Sequence, residues 1–347
     1  MKLNEICSKG KSSLRQKDVF SDGPYSVYGA SGVIGTTGDY QNEIPYVAVV
    51  KDGAGVGRAS ACEPRTSVLG AMQALIPNSN VERDYLLHLV RSLRLGERFS
   101  GLTIPHIYFK DYGKLEVPLP PLETQKEIVS RLGLIEVQIE QAEAQTMQLD
   151  QLIKSRFTEM FGDPTRSVSV ILLEDVADMK AGKTTTAKEI EDFQTVESYP
   201  CYGGNGLRGY SKNPTHKGTY PLVGRQGALC GNVQLAKGVF RATEHAVVVY
   251  CGPSCNPEWL YHYLKYDDLG RFATGAAQPG LSVKSLRKLP VDVPSKESQL
   301  RFVAFVAQVD KLRFMLLGNP SPIFGHRSFC CSTNSGNGGV ILEAKDY

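Results

Sequence analysis

Residues 114–132 read KLEVPLPPLETQKEIVSRL, and residues 288–306 read KLPVDVPSKESQLRFVAFV. The second stretch repeats the first at an offset of 174 residues. Each begins as a short apolar strand, meets prolines that end it, and continues without further proline or glycine. That is how a strand hands over to a helix. Its occurrence twice decides the fold, because the sequence upstream of the first junction also has a counterpart upstream of the second.

The repeated unit is a whole domain, too long for a solenoid repeat. YSVYGASGVIG (25–35) matches YPCYGGNGLRG (199–209), and YVAVVKDGAGVG (46–57) matches YPLVGRQGALCG (220–231). YLLHLVRSLRLG (85–96) matches WLYHYLKYDDLG (259–270) in the same ungapped register, keeping His88 at His262. Gly101 and Pro105 correspond to Gly275 and Pro279. Further upstream, LNEICSKGK (3–11) resembles LEDVADMKAGK (173–183) once small insertions are allowed. Matched glycines between short apolar runs are turns between strands. YVAVV (46–50) and HAVVVY (245–250) are predicted buried strands. Residues 82–95 put Tyr85, Leu86, Leu89, Val90 and Leu93 on one helical face, where the second copy has Trp259, Leu260, Tyr263 and Leu264. Each copy is therefore a mixed α/β lobe of roughly 120 residues, enough for its own core.

Between the lobes the pattern changes. Thr124 and Glu127 form a capping box, TQKE, after Pro120 and Pro121. Ile128, Leu132, Ile135, Ile139, Ala142, Thr146, Leu149 and Ile153 then recur at the 4-3 spacing of a coiled-coil seam. About 40 residues make a rod of roughly 60 Å, and Gly162-Asp163-Pro164 stops it. A seam of this length needs a partner, and the obvious one is the helix beginning near Ser298. The predicted domains are a first lobe at 1–121, a spacer helix at 122–163, a second lobe at 164–294 and a shortened second helix at 295–317. After Leu317 the sequence reads GNPSPIFGHRSFCCSTNSGNGG, and 14 of the last 30 residues are Gly, Pro, Ser or Asn. Such a stretch cannot continue a coiled-coil helix. Residues 318–347 are an expected irregular tail, either an unrelated extension or a natural disordered one.

Composition bounds the function. The 347 residues are 41% hydrophobic and 22% charged, as in a soluble globular protein. No apolar run is long enough to span a membrane, and the first residues, MKLNEICSKGKSSLRQKD, lack a signal-peptide core. A cytoplasmic protein is expected. The eight cysteines form no CxxC pair, so neither a zinc ribbon nor a redox motif is indicated. Residues 1–120 and 171–294 each hold 14 Lys and Arg against 12 Asp and Glu, whereas 121–163 hold 4 against 8. Two mildly basic lobes flank an acidic spacer, which permits nucleic-acid binding without demanding it.

The ordered set of lobe, PPLETQ-type junction, long helix, GDP stop, second lobe and second junction resembles the specificity subunit of type I restriction-modification systems. The resemblance spans about residues 1–317. It implies that each lobe is a target recognition domain reading one half of a split double-stranded DNA site. It implies that the two helices pair antiparallel and hold the lobes at a fixed separation. Modification subunits would dock on this frame and carry the methyl transfer, with S-adenosylmethionine bound there and no cofactor on this chain. Restriction subunits would join them.

The residues are compatible with that role. A fixed spacer sets the separation of two half-sites. Lys51-Asp52 becomes Arg225-Gln226 at the same loop position, and both pairs can hydrogen-bond base edges, although solvated turns use the same residue types. SKGKSS (8–13), with Lys9 and Lys11, and KAGKTTT (180–186), with Lys183 and Thr184, combine ammonium groups and hydroxyls suited to phosphate, or equally to polar loops. Arg58 and Arg208 complete the candidate DNA contacts.

Catalytic motifs fail on inspection. GAGVG (53–57) is not G-x-G-x-x-G, and its copy loses Gly55. AGKTTT has Ala177 where a phosphate loop needs its first glycine. Glu244-His245 faces Gly70-Ala71 in the other copy, so His245 reads as structural. No catalytic residue and no metal set is assigned. A duplicated-domain enzyme predicts matched polar residues across the repeat, yet the matched set is mostly Gly, Tyr, Pro and Leu. A truncated subunit acting only as a scaffold is the other alternative, separated from a DNA reader by salt-dependent DNA binding.

Overall fold

The computed structural model describes residues 1–53, 55–101, 105–227, 229–275 and 279–317. The expected irregular tail, 318–347, lies outside the described residues. The chain divides into two compact units, Met1–Glu140 and a second beginning at Gln141.

In the first unit a short helix α1 (Leu3–Ile6) leads into β1 (Cys7–Lys9), followed by β2 (Tyr25–Gly29), β3 (Gly32–Thr37), β4 (Tyr46–Val50), β5 (Ala59–Cys62), β6 (Ser67–Val68) and β7 (Met72–Pro77). Helices α2 (Arg83–Ser92) and α3 (Phe109–Tyr112) follow. The strands form an antiparallel sheet in the order β1-β7-β4-β5 and a smaller one, β3-β2-β6. β4 shows no polar alternation because both of its faces are covered. Val47 and Val49 pack with Leu86, Leu89 and Val90 of α2, while Tyr46, Ala48 and Val50 pack with Val68, Met72 and Ala74.

The second unit repeats the plan with α5 (Leu173–Val176), β8 (Ala177–Ala181), β9 (Tyr199–Gly203), β10 (Gly206–Ser211), β11 (His216–Gly224), β12 (Val233–Ala242), β13 (Ala246–Cys251), α6 (Pro257–Tyr266) and α7 (Val283–Arg287). Here one six-stranded sheet, β10-β9-β12-β11-β13-β8, replaces the two. β12 does the work of both β5 and β6, pairing antiparallel with β11 and parallel with β9. The first copy breaks at this point because Pro64 lacks an N–H for a ladder, and Arg65 adopts a left-handed φ of 55°. The second copy has Gly238, which pairs with Gly218 within the ladder.

The long helix α4 runs Leu122–Phe161, 40 residues without interruption. It starts two residues before Thr124, so TQKE lies inside the first turn and is not its cap. The residue that matters there is Gln125, fully buried and bonded to the backbone of its own lobe. Gly162, at φ 81°, ends α4, and Asp163 accepts the Thr165 N–H at 3.0 Å to start the next turn.

Helix α8 (Lys296–Leu317) crosses the C-terminal half of α4 antiparallel within the second unit. Phe302 meets Phe157 and Phe161, and Arg313 meets Asp150, so the contacts ascend one helix as they descend the other. Ile153, Phe157, Phe302 and Val309 form the dry seam and join the core built on Trp259, Leu260 and Tyr263 of α6.

Candidate nucleic-acid interface

In the second unit four loops converge at one end of the six-stranded sheet. The Lys183 N–H donates to the Ala242 carbonyl at 2.9 Å, and the Thr185 N–H donates to Glu244 Oε2 at 3.0 Å. The Arg225 N–H donates to the His245 carbonyl at 3.1 Å. A Cβ on Gly224 would lie 2.0 Å from the Gly204 carbonyl oxygen, so only glycine permits that approach. Lys183, Thr184, Arg208, Arg225 and Gln226 are thereby brought to one edge. Arg208 is exposed, and its stem passes beside Gly203. Gln226 Oε1 and His245 Nδ1 are hydrogen-bonded at 2.8 Å. Arg225 Nε is buried with no hydrogen-bond partner among the described residues.

The residue organising this end is Arg241, which sequence reasoning missed. It is 6% exposed, and its guanidinium donates to Thr185 Oγ1, to the Thr184 and Asn213 carbonyls and to Glu189. Burial of a guanidinium requires such pairing. The Thr185 hydroxyl and the Thr184 carbonyl therefore hold the KAGKTTT loop in shape, while Lys183 and Thr184 remain exposed.

The first unit uses a different anchor for the corresponding loop. Buried Asn42 accepts the Lys11 N–H and donates to the Lys11 carbonyl, both at 3.0 Å. Ser12 and Ser13 hydroxyls accept from the Ala74 N–H and from Gln41. The ammonium of Lys9 lies 5.7 Å from the Phe109 ring centre. Of the SKGKSS groups singled out for phosphate, two hydroxyls are therefore taken by the fold, and Lys9 and Lys11 stay exposed.

The Lys51-Asp52 and Arg225-Gln226 turns share one backbone frame. Lys51 donates its N–H to Ala71 and accepts from Ile107, and Gly53 donates to Pro105. At the matching positions Arg225 donates to His245 and accepts from Leu281, and Gly227 donates to Pro279. The side chains diverge on that frame. Asp52 pairs with His106 at 2.7 Å, whereas Gln226 bonds His245 on a different loop. Arg58, at the far end of the first turn, is exposed and folds over Gly55.

The seam residues divide by position. Ile128 packs into the core of the first unit, and Leu132 is half-buried. Ile135 and Ile139 are 50% and 53% exposed. Ala142, Thr146 and Leu149 are half-buried, and Ile153 is buried against α8 and the second core. Thr146 donates its hydroxyl to the Ala142 carbonyl, which satisfies it inside the helix.

Among the described residues no cluster of three or more His, Cys, Asp or Glu could hold a metal, and no helix is long and apolar enough to cross a membrane. His262, matched to His88, is buried on α6 between Tyr266 and Phe302, and burial drives its pKa down to about 3. It is a neutral core residue.

The family model for the type I restriction modification DNA specificity domain matches residues 1–149 and 166–317. The EcoprrI type I restriction enzyme specificity subunit of Escherichia coli is 47% identical over 141 residues, 40% of this chain and 35% of that one. The MjaVIII type I restriction enzyme specificity subunit of Methanocaldococcus jannaschii is 21% identical over 275 residues, 65% of this chain and 64% of that one. The chain thus spans about a third of the first relative and just under two thirds of the second. A crystal structure of a type I restriction-modification system S subunit from M. genitalium shares the fold, with a TM-score of 0.56, 16% identity, and coverage of 91% of this chain and 90% of that one. Duplicated in fold and matched in both halves, the chain belongs to the type I restriction modification DNA specificity domain family.

Proposed function

We propose that this protein is the DNA sequence-specificity subunit of a type I restriction-modification complex, with each lobe reading one half of a bipartite site. The observation that supports this most is the shared turn with unlike side chains, Lys51-Asp52 in one lobe and Arg225-Gln226 in the other. An enzyme duplicated for one reaction keeps its polar groups and lets the frame drift. A reader of two different half-sites keeps the frame and changes the groups that meet base edges. The candidate phosphate contacts are Lys9, Lys11, Arg58, Lys183, Thr184 and Arg208. The chain itself is non-catalytic on this reading. Methyl transfer from S-adenosylmethionine belongs to modification subunits docked on the helices, in part through Ile135 and Ile139, and restriction subunits join that assembly.

The test is co-expression with the modification subunit, co-purification, and mapping of methylated bases across genomic DNA. One methylated motif of two half-sites with a fixed gap is the expected result. A stable complex that methylates no bipartite motif would count against the proposal.

A further inference from the structure

An open groove in the first unit lies between the turn joining β4 to β5 and the corner after α2, lined by Gly57, Arg58, Arg91, Arg94, Gly96 and Glu97. Its walls touch through glycine: a Cβ on Gly57, which has a φ of 84°, would lie 2.1 Å from the Gly96 nitrogen. Three guanidinium groups surround this backbone floor. Glu97 stands 3.6 Å from Arg94, and Glu136 stands 3.3 Å from Arg91. Arg58 makes no ion pair among the described residues. The groove is therefore net cationic, and the Arg94 side chain is 77% exposed.

The second unit builds the same corner but loses two of the three cations and engages those it has. A Cβ on Gly231 would lie 2.5 Å from the Gly270 nitrogen, repeating the contact of Gly57 and Gly96. Arg94 and its counterpart Asp268 share a left-handed backbone, with φ of 47° and 52°. Arg58 is replaced by Asn232, which bonds Asn205. Arg91 is replaced by Lys265, whose ammonium lies over the Tyr261 ring. Arg271, at the position of Glu97, is held by Asp267 and by the Thr165 carbonyl.

The groove adjoins the candidate base-reading turn, since Lys51 begins the turn that Arg58 ends and Val50 donates its N–H to the Arg58 carbonyl. Arginines round exposed backbone suit the oxygens of a phosphate chain. We infer that this groove grips the phosphate backbone of duplex DNA beside the half-site of the first lobe, so that the two lobes contribute unequally to salt-dependent affinity. The inference rests on the DNA-reading role proposed above.

The test measures binding of the full chain to a random-sequence duplex across a salt series. The double variant R58Q/R94Q is expected to reduce the slope of log affinity against log salt by about 1 to 2, because each phosphate contact contributes about 0.9. The loss should be the same on any sequence. N232R/D268R, which writes the arginines into the second lobe, should steepen the slope, and K265Q should leave it unchanged. Wild-type binding with an unaltered slope in R58Q/R94Q, or no steepening in N232R/D268R, overturns the groove assignment and leaves DNA reading intact. A wild-type chain that binds no duplex overturns both. Arg58, Arg94, Lys265 and Asp268 are exposed and Asn232 is half-buried, so unchanged thermal melting confirms that each variant is folded.

Discussion

Gln299 and Gln125 make the same three hydrogen bonds, 174 residues apart. Gln299 Oε1 accepts the Asn256 N–H at 2.7 Å, and its Nε2 donates to the Ser254 and Pro294 carbonyls, each at 2.9 Å. Gln125 Oε1 accepts the Glu82 N–H at 2.9 Å, and its Nε2 donates to Asn80 at 3.0 Å and to Pro120 at 2.8 Å. Asn256 and Glu82 are themselves the caps of α6 and α2. Each glutamine therefore ties the first turn of a spacer helix to the start of its own lobe's helix.

Replacing Gln299 with Leu removes the partner of one N–H and two carbonyls at a partly buried site. A loss of about 3 kcal/mol is expected. Trp259 is the chain's single tryptophan and is fully buried in the second unit, so its fluorescence during urea unfolding reads this loss directly. Gln299→Glu should lose more, because an oxygen then faces the two carbonyls. An unmoved Trp259 transition in both variants would show that the contact is incidental.

The short second helix is held by its first turns. Phe302 is fully buried, with ring centres of Phe157, Phe161 and His262 at 5.2, 5.7 and 5.2 Å. Phe302→Ala is expected to lower the stability read at Trp259 by about 3–5 kcal/mol. Arg313→Gln, which breaks an ion pair to an Asp150 side chain that is 54% exposed, should cost under about 1 kcal/mol. Equal losses in the two variants would contradict a seam carried by aromatic packing.

Much of this architecture is legible in the sequence, and what is not has physical reasons. The faces of α2 and α6 follow from the helical period, because a single stripe of each packs on a sheet. Gly57, Gly96 and Gly231 keep their places because a Cβ on any of them would meet backbone at 2.1–2.8 Å. Gln125 and Gln299 leave no periodic trace, as single polar residues, and only their matched positions in the repeat signal them. Arg241 had no such signal. Its counterpart is Ser67, and its four acceptors lie 28 to 57 residues away in sequence. The capping box misled because Pro120 and Pro121 start the helix earlier than TQKE suggests.

His262 and Asp267, both buried on or just after α6, make opposite contributions to pH dependence. Burial, reinforced by Lys265 and Lys237, holds His262 down at about 3. Its contribution is full above its ordinary value of about 6.5 and declines as pH falls toward 3, because only the unfolded chain takes up the proton. Burial raises Asp267 to about 6 despite Arg271. Its contribution is full below its ordinary value near 3.9 and is lost as pH rises through 6. Each approaches a limit of about 1.4 kcal/mol per pH unit, and between pH 6 and 4 they oppose. His262→Gln should therefore gain stability relative to wild type as pH falls through that range, and Asp267→Asn should lose it. Urea titrations at stepped pH check both signs. Parallel pH profiles for the two variants would refute the assignment.

The sharpest functional test exchanges side chains on the conserved turn. Asp52 can only accept hydrogen bonds when ionised, and one of its oxygens is engaged by His106. On the proposed role it favours a base presenting an amino group, cytosine or adenine, in the major groove. Gln226 both donates and accepts, so its preference is set by the orientation that His245 gives its amide. The double substitution K51R/D52Q places the second lobe's pair on the first lobe's frame. In complex with the modification subunit it should change the base preference at one position of one half-site, by about 1–3 kcal/mol of discrimination, and leave the other half-site and the gap unaltered. R225K/Q226D should do the converse. Methylation mapping of both variants distinguishes the outcomes. A change in both half-sites from either substitution would mean that the turns shape the whole complex and do not read bases. No change from both would place base reading elsewhere on the lobes.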